Sequence, residues 1–206
     1  MSAFDHMLDT ASGLRIAQRK ELAELFGFET RNKYEIQTAT GEPLGFAAEQ
    51  HKGVLGFLLR QFLGHWRHFE ILFFDALRNP VFKAIHPFRW LFERLELRAA
   101  DGRQLGALQR RLSLFSKRFD MEDAYGHVVL TVSSPLWRPW TFTFTRGPIE
   151  IAVIRKRWSG VLQEAFTDAD TFSLEFQPGP VTPLERRLLL AAAVFIDLTF
   201  FERKAE

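Results

Sequence analysis

The 206-residue chain carries 27 Lys and Arg against 25 Asp and Glu. That near-balance, a formal net charge of +2, excludes the dense basic stripe of a dedicated nucleic-acid binder. The absence of cysteine excludes disulfides, thiolate metal sites, thiol nucleophiles and palmitoylation, while 47% hydrophobic residues suit one sizeable core.

The chain starts Met1-Ser2-Ala3-Phe4-Asp5-His6, without the basic start and apolar core of a signal peptide. Residues 12–26 have helical spacing, with Leu14, Ile16, Leu22 and Leu25 among Arg, Lys and Glu. Residues 1–30 therefore read as an N-terminal tail with a short helix. After Gly27 the chain changes to short β runs joined in pairs by tight polar turns. Lys33 to Thr38 leads through Gly41-Glu42 into Pro43 to Gln50, and Phe69 to Phe74 leads through Arg78-Asn79 into Pro80 to His86. Arg94 to Arg98 leads through Asp101-Gly102 into Gln104 to Arg111, and Arg118 to Met121 through Tyr125-Gly126 into His127 to Ser133. Thr141 to Thr145 turns at Gly147-Pro148 into Ile149 to Arg157, and a last alternating run is Phe172 to Phe176. Gly, Asn and Asp supply the positive φ of tight hairpins. In Thr141-Phe142-Thr143-Phe144-Thr145 every second residue is aromatic, which buries one face and wets the other. The series predicts an antiparallel meander, hence a sandwich or a barrel.

Thr182-Pro183-Leu184-Glu185 is a capping box with proline at the first helical position. Leu184 to Phe201 then runs on, apolar on nearly every face past Arg187. Such a helix must be surrounded by protein or by lipid. Its apolar run falls short of the roughly 18 residues of a membrane span and contains Asp197, which favours protein. A closed barrel of about eleven or twelve strands can hold one central helix. The expectation is a mainly β protein. Residues 31–206 form a closed antiparallel β-barrel around a central hydrophobic C-terminal helix over 183–202, with Asp197 meeting an inward hydroxyl, amide or Arg.

In an up-and-down meander, alternate connections fall at the same end. The turns near Gly41, Asn79, Gly102, Gly126 and Gly147 thus share one pole. The longer connections, residues 51–68, 87–93, 112–117 and 134–140, share the other. These carry Phe57, Phe62 and Trp66, then Phe88, Trp90 and Phe92, then Phe115, then Leu136, Trp137 and Trp140. Arg60, Arg67, Arg89, Lys117 and Arg138 are interleaved with them. Aromatics with basic neighbours have the composition of an interfacial membrane anchor. The predicted membrane contacts are Phe57, Phe62, Trp66, Phe88, Trp90, Phe92, Trp137 and Trp140, with Arg60, Arg67, Arg89 and Arg138. The alternative is that these loops pack on each other or on a partner subunit.

The stretch Ile154-Arg155-Lys156-Arg157-Trp158-Ser159-Gly160-Val161-Leu162-Gln163-Glu164-Ala165-Phe166-Thr167-Asp168-Ala169-Asp170-Thr171-Phe172 resembles the signature of the phospholipid scramblases. Ile196-Asp197-Leu198-Thr199-Phe200-Phe201-Glu202 resembles the family's C-terminal ending. Glu21-Leu22 with Gly27 to Ile36, and Phe46-Ala47-Ala48-Glu49, are similar to its first two strands. The likeness covers about residues 14–203. It implies a tubby-like barrel of about twelve strands around a hydrophobic helix. It further implies calcium-stimulated, non-selective lipid movement between leaflets, or binding of membranes and phosphoinositides, rather than chemical catalysis. The implied partners are membrane phospholipids, preferably anionic. The implied place is cytoplasmic and peripheral at the inner face of the plasma membrane, with a single pass through the C-terminal helix as the alternative. A tubby-like lipid- or protein-binding module without transport is the alternative function. Relative to better-known members, the chain lacks a long proline-rich N-terminal region and the cysteine clusters that carry palmitate.

The family's candidate calcium segment maps onto Asp168 to Gly179, with Asp168 and Asp170 as first ligands. Calcium wants six to eight oxygens and a late bidentate carboxylate. Here Phe172, Phe176 and Gly179 stand at the fifth, ninth and twelfth positions, so Ca2+ is expected to bind weakly, with Glu164 a nearby donor. The alternative is that the two aspartates shape a turn into a core strand. His65 and His68 lack a third ligand at a standard spacing, Arg155-Lys156-Arg157 reads as a solvated strand end, and no G-x-S-x-G, H-E-x-x-H or phosphate loop marks an enzyme.

Overall fold

A computed structural model describes residues 2–19, 30–50, 68–87, 93–157 and 171–200. Helix α1 (Ala3–Thr10) precedes strands β1 (Gly13–Gln18), β2 (Thr30–Thr38), β3 (Pro43–Gln50), β4 (Phe69–Asp75), β5 (Pro80–His86) and β6 (Arg94–Ala99). Strands β7 (Gln104–Arg111), β8 (Ser116–Asp123), β9 (Val128–Pro135), β10 (Thr141–Arg146), β11 (Ile149–Arg157) and β12 (Thr171–Phe176) follow, and helix α2 (Pro183–Phe200) ends the described chain. The twelve strands close one antiparallel barrel in which each pairs with its sequence neighbours and β1 pairs with both β2 and β12.

The helical spacing expected over residues 12–26 is not realised at Gly13–Gln18, which is β1. Leu14 and Ile16 are two apart, so they serve a period of two as readily as a helical turn. Both are buried against the core while Arg15 between them is exposed. The short helix lies earlier. Ser2 accepts from the Asp5 amide at 3.1 Å and Asp5 accepts back from the Ser2 amide at 3.4 Å, a reciprocal capping box that starts α1.

Four hairpins share one turn design. The amides of Thr38, Asp75, Ala99 and Asp123 each donate to the carbonyl four residues on, at 2.9–3.0 Å. In each, the fourth residue donates back to the first: Gly41, Arg78, Gly102 and Gly126. Those residues have φ of 89°, 67°, 86° and 86°, the left-handed position after a type I turn. In the second hairpin the positive φ falls on Arg78 and not on the Asn79 expected to supply it. Asn79 instead donates its amide and Nδ2 to the Asp75 carboxylate, at 2.8 and 3.0 Å. All these turns lie at one pole with the β10–β11 turn at Gly147.

Inside, Tyr34, Ile36, Phe73, Phe119, Phe142, Phe144 and Phe172 surround α2, whose residues from Leu188 to Leu198 are at most 3% exposed. The helix is the core of the barrel. Asp197 lies in that core and accepts from the Tyr34 hydroxyl at 2.8 Å, the inward hydroxyl expected for it. At the helix start, Glu185 donates its amide to Thr182 Oγ1 at 3.2 Å and accepts from the Thr182 amide at 2.8 Å, so the capping box forms. Helix α1 closes this end. Phe4 and Leu8 are buried, and Arg186 donates to the carbonyls of Leu8 and Ala11, both at 2.8 Å.

Asp5 ties α1 to α2 through Arg187 at 2.6 Å. Partial burial pushes the Asp5 carboxyl up, but the Arg187 hydrogen bond and charge, with the Ser2 hydrogen bonds, together hold it below its usual 3.8. A depressed folded-state value means that this contribution is fully present above the unfolded value and is lost as pH falls through the folded one. Asp5→Asn should therefore cost about 1 kcal/mol near neutrality and flatten the acid limb of stability below about pH 4. Thermal melts across that range check it, and an unchanged acid limb would contradict it.

The outer wall is charged. Arg94 pairs with Glu122 at 2.7 Å, Arg111 bridges Asp120 at 2.7 Å and Glu122 at 3.2 Å, and Arg98 meets Glu96 at 3.2 Å. Membrane-spanning barrels show the reverse pattern, apolar outside and polar within. No described helix is long and apolar enough to cross a membrane, and α2 is wrapped by strands.

Candidate functional site

With walls charged and interior filled, the poles remain as surfaces for an apolar partner. At the pole opposite the tight turns, residues 112–115 connect β7 to β8 and residues 136–140 connect β9 to β10. Because β8 and β9 pair out to Ser116 opposite Pro135, the two connections leave the barrel side by side. The Leu136 amide donates to the Phe115 carbonyl at 3.3 Å, which carries the ladder one step into the loops. A turn follows, with the Arg138 amide on the Pro135 carbonyl at 2.9 Å and Ser134 Oγ on the Arg138 carbonyl at 3.3 Å. Ser113 and Ser116 hydroxyls meet at 2.8 Å and brace the other loop. The loops are thus held in place, and they present apolar side chains outward. Leu112 is 85% exposed, Leu114 86%, Phe115 73%, Leu136 57% and Trp137 76%.

Soluble surfaces avoid contiguous apolar patches of this kind. Among the described residues, the other exposed large apolar side chains, Leu77, Tyr125, Val128 and Ile149, are spread over three hairpins at the opposite pole. Arg118 on the outer face of β8 and Arg138 in the second loop flank the patch. Neither has an anionic partner among the described residues. Lys117 points the other way, over the Phe200 ring at 4.2 Å and the Phe142 ring at 5.5 Å. It puts a positive charge at the C-terminal, negative end of the α2 dipole.

Of the predicted membrane contacts, Trp137 projects from the barrel and Arg138 lies beside it. Trp140 is half-buried and packs on the core, with its carbonyl accepting from the Lys156 amide at 3.0 Å. Phe57, Arg60, Phe62, Trp66, Arg67, Phe88, Arg89, Trp90 and Phe92 lie outside the described residues, as do the calcium candidates Asp168 and Asp170. Leu112 and Leu114 were missed. They sit in the connection expected over residues 112–117, after a strand expected to end at Arg111 as β7 does, but the predicted contacts were drawn from aromatic and arginine side chains alone. Among the described residues no group of three His, Asp or Glu side chains could hold a metal ion.

The described residues form a closed antiparallel barrel whose core is its own C-terminal helix, with ion pairs on the outer wall and an apolar patch at one pole. The Scramblase family model matches residues 3–203, and the chain belongs to that family. It is 30% identical over 203 residues to human phospholipid scramblase 2, covering 91% of this chain and 67% of that protein. Mouse phospholipid scramblase 1 is 31% identical over 205 residues, at 92% and 61% coverage. A phospholipid scramblase family protein of Schizosaccharomyces pombe is 25% identical over 231 residues, at 92% and 59% coverage. The chain thus spans two thirds or less of the length of most of these relatives. No solved structure matches it.

Proposed function

We propose that the chain docks on phospholipid bilayers by the pole bearing Leu114, Phe115, Leu136 and Trp137, and promotes lipid exchange between leaflets there without bond chemistry. The observation that carries this reading is the contiguous, braced apolar patch at the one pole flanked by Arg118 and Arg138. Family membership supplies the substrate class. Basic residues beside the patch add roughly 1 kcal/mol apiece on anionic lipid, which favours a leaflet rich in it, such as the cytoplasmic one.

The barrel interior offers no passage for a lipid, because α2 fills it with residues from Leu188 to Leu198. Lipid movement would thus proceed by perturbing the bilayer under the docked pole or along the outer wall. The same filled interior favours the second reading, a lipid-binding module without transport. Calcium, in this proposal, acts weakly through Asp168 and Asp170. Reconstitution into anionic liposomes with dye-labelled lipid and an external quencher separates the two readings. Leaflet exchange several-fold faster than in protein-free vesicles is expected. Bound protein with no acceleration would leave the binding module as the function.

A further inference from the structure

The seam that closes the barrel holds a second feature on the outer wall. A groove of about 620 Å³ runs along β1 and β12, from Ser12, Gly13 and Ala39 at the tight-turn pole to Thr171 at the apolar pole. Its size falls in the range of small-ligand sites, roughly 300–1,000 Å³. Gly13, Ala39, Thr171 and Ser173 are the small and short-chain members of its lining. Gly13 admits nothing larger, since a Cβ there would stand 2.8 Å from the Leu174 carbonyl oxygen.

The groove's polar groups converge. Ser173 lies opposite Arg15 on one side and opposite Arg155 on the other, so all three project outward in one row. The Ser173 Oγ is shielded from solvent and makes no hydrogen bond. A shielded hydroxyl without a partner is costly and points to a ligand group. Arg155 is bound to Glu175. Arg15 is exposed and has no hydrogen bond or ion pair among the described residues. Of the groove lining, Arg15 is cationic and Glu175 anionic, and Arg155 beside it neutralises Glu175, which leaves the charge of Arg15 uncompensated.

We infer that this groove seats the phosphodiester of a glycerophospholipid headgroup. The planar Arg15 fork can donate two parallel hydrogen bonds to phosphate oxygens, and Ser173 Oγ can donate a third once a neighbouring side chain that shields it moves aside. One net positive charge matches a monoanionic diester, and Glu175 would oppose a second negative charge. Glu175 can also accept from the ammonium of an ethanolamine or serine headgroup. The identity of the ligand rests on the reading of the chain as one that acts on phospholipids.

The test is titration of the full chain with soluble glycerophosphoethanolamine, inorganic phosphate or a short oligothymidylate, followed by amide NMR shifts at Gly13 and Leu174. Saturable binding of the headgroup is expected, weakened about tenfold in Arg15→Gln and in Ser173→Ala, with melting temperatures unchanged in both. Inorganic phosphate or oligothymidylate binding as tightly as the headgroup would overturn the assignment, as would absence of saturation or insensitivity to both variants. No bilayer is present in this test, so its failure leaves docking by the apolar pole standing.

Discussion

Replacing Phe195 by alanine is expected to lower the unfolding free energy by about 3–5 kcal/mol. Phe195 is 1% exposed in the C-terminal half of α2. Its ring meets the rings of Phe69 at 6.4 Å, His86 at 5.7 Å and Phe119, edge-on, at 6.1 Å. Those partners sit on β4, β5 and β8, so one side chain links three parts of the wall through the helix. The closed ring of strand pairing prevents the wall from collapsing into the space left behind. The cavity therefore persists, which places the cost at the upper end for such truncations. Leu77→Ala at an exposed hairpin tip should change stability by less than about 0.5 kcal/mol. Urea unfolding of both variants reads the difference. A loss below about 1 kcal/mol for Phe195→Ala would mean that α2 is not the core of the barrel.

That helix was legible in the sequence because its signals are local. Thr182 and Glu185 cap each other across one turn, and an all-round apolar helix too short to span a bilayer has to be wrapped by protein. Asp197 pointed the same way, since a carboxylate in that run needs a polar partner, and Tyr34 provides it. The hairpins were equally readable, because alternation and turn residues sit within ten residues of each other. Strand β1 was not, since its partner β12 lies far along the chain and nothing near Leu14 announces that pairing. Two apolar residues two apart carry too little period to distinguish strand from helix, and Leu22 and Leu25 pulled the reading toward helix.

The candidate site was legible in part for a related reason. Connection parity depends only on strand count, so it placed the connections expected over residues 112–117 and 134–140 at one pole. It could not say which side chains in a connection turn outward. Trp137 projects while Trp140, three residues on, folds back against the core, a distinction set by the turn at Arg138 and by the bond to Lys156. Leu112 and Leu114 lay in a connection already expected, but an aliphatic side chain carries no interfacial signature of its own, and only the structure shows both to be exposed. The groove at the seam was invisible, because it is made by two strands from opposite ends of the chain.

Docking by the apolar pole is tested most directly by flotation of the double variant Leu114→Ser, Trp137→Ser with anionic liposomes. Both side chains are more than three-quarters exposed, so their removal should leave thermal unfolding nearly unchanged. Each would be transferred in large part from water into the interface on docking. Together they contribute about 3 kcal/mol, so partitioning should fall roughly a hundredfold. Without covalent lipid, attachment depends on several weak contacts acting together, so the loss of two is enough to release the protein. A double variant that melts like the parent and stays in the lower fraction is the result expected. One that melts like the parent and floats with the vesicles would show that lipid contact is made elsewhere on the molecule.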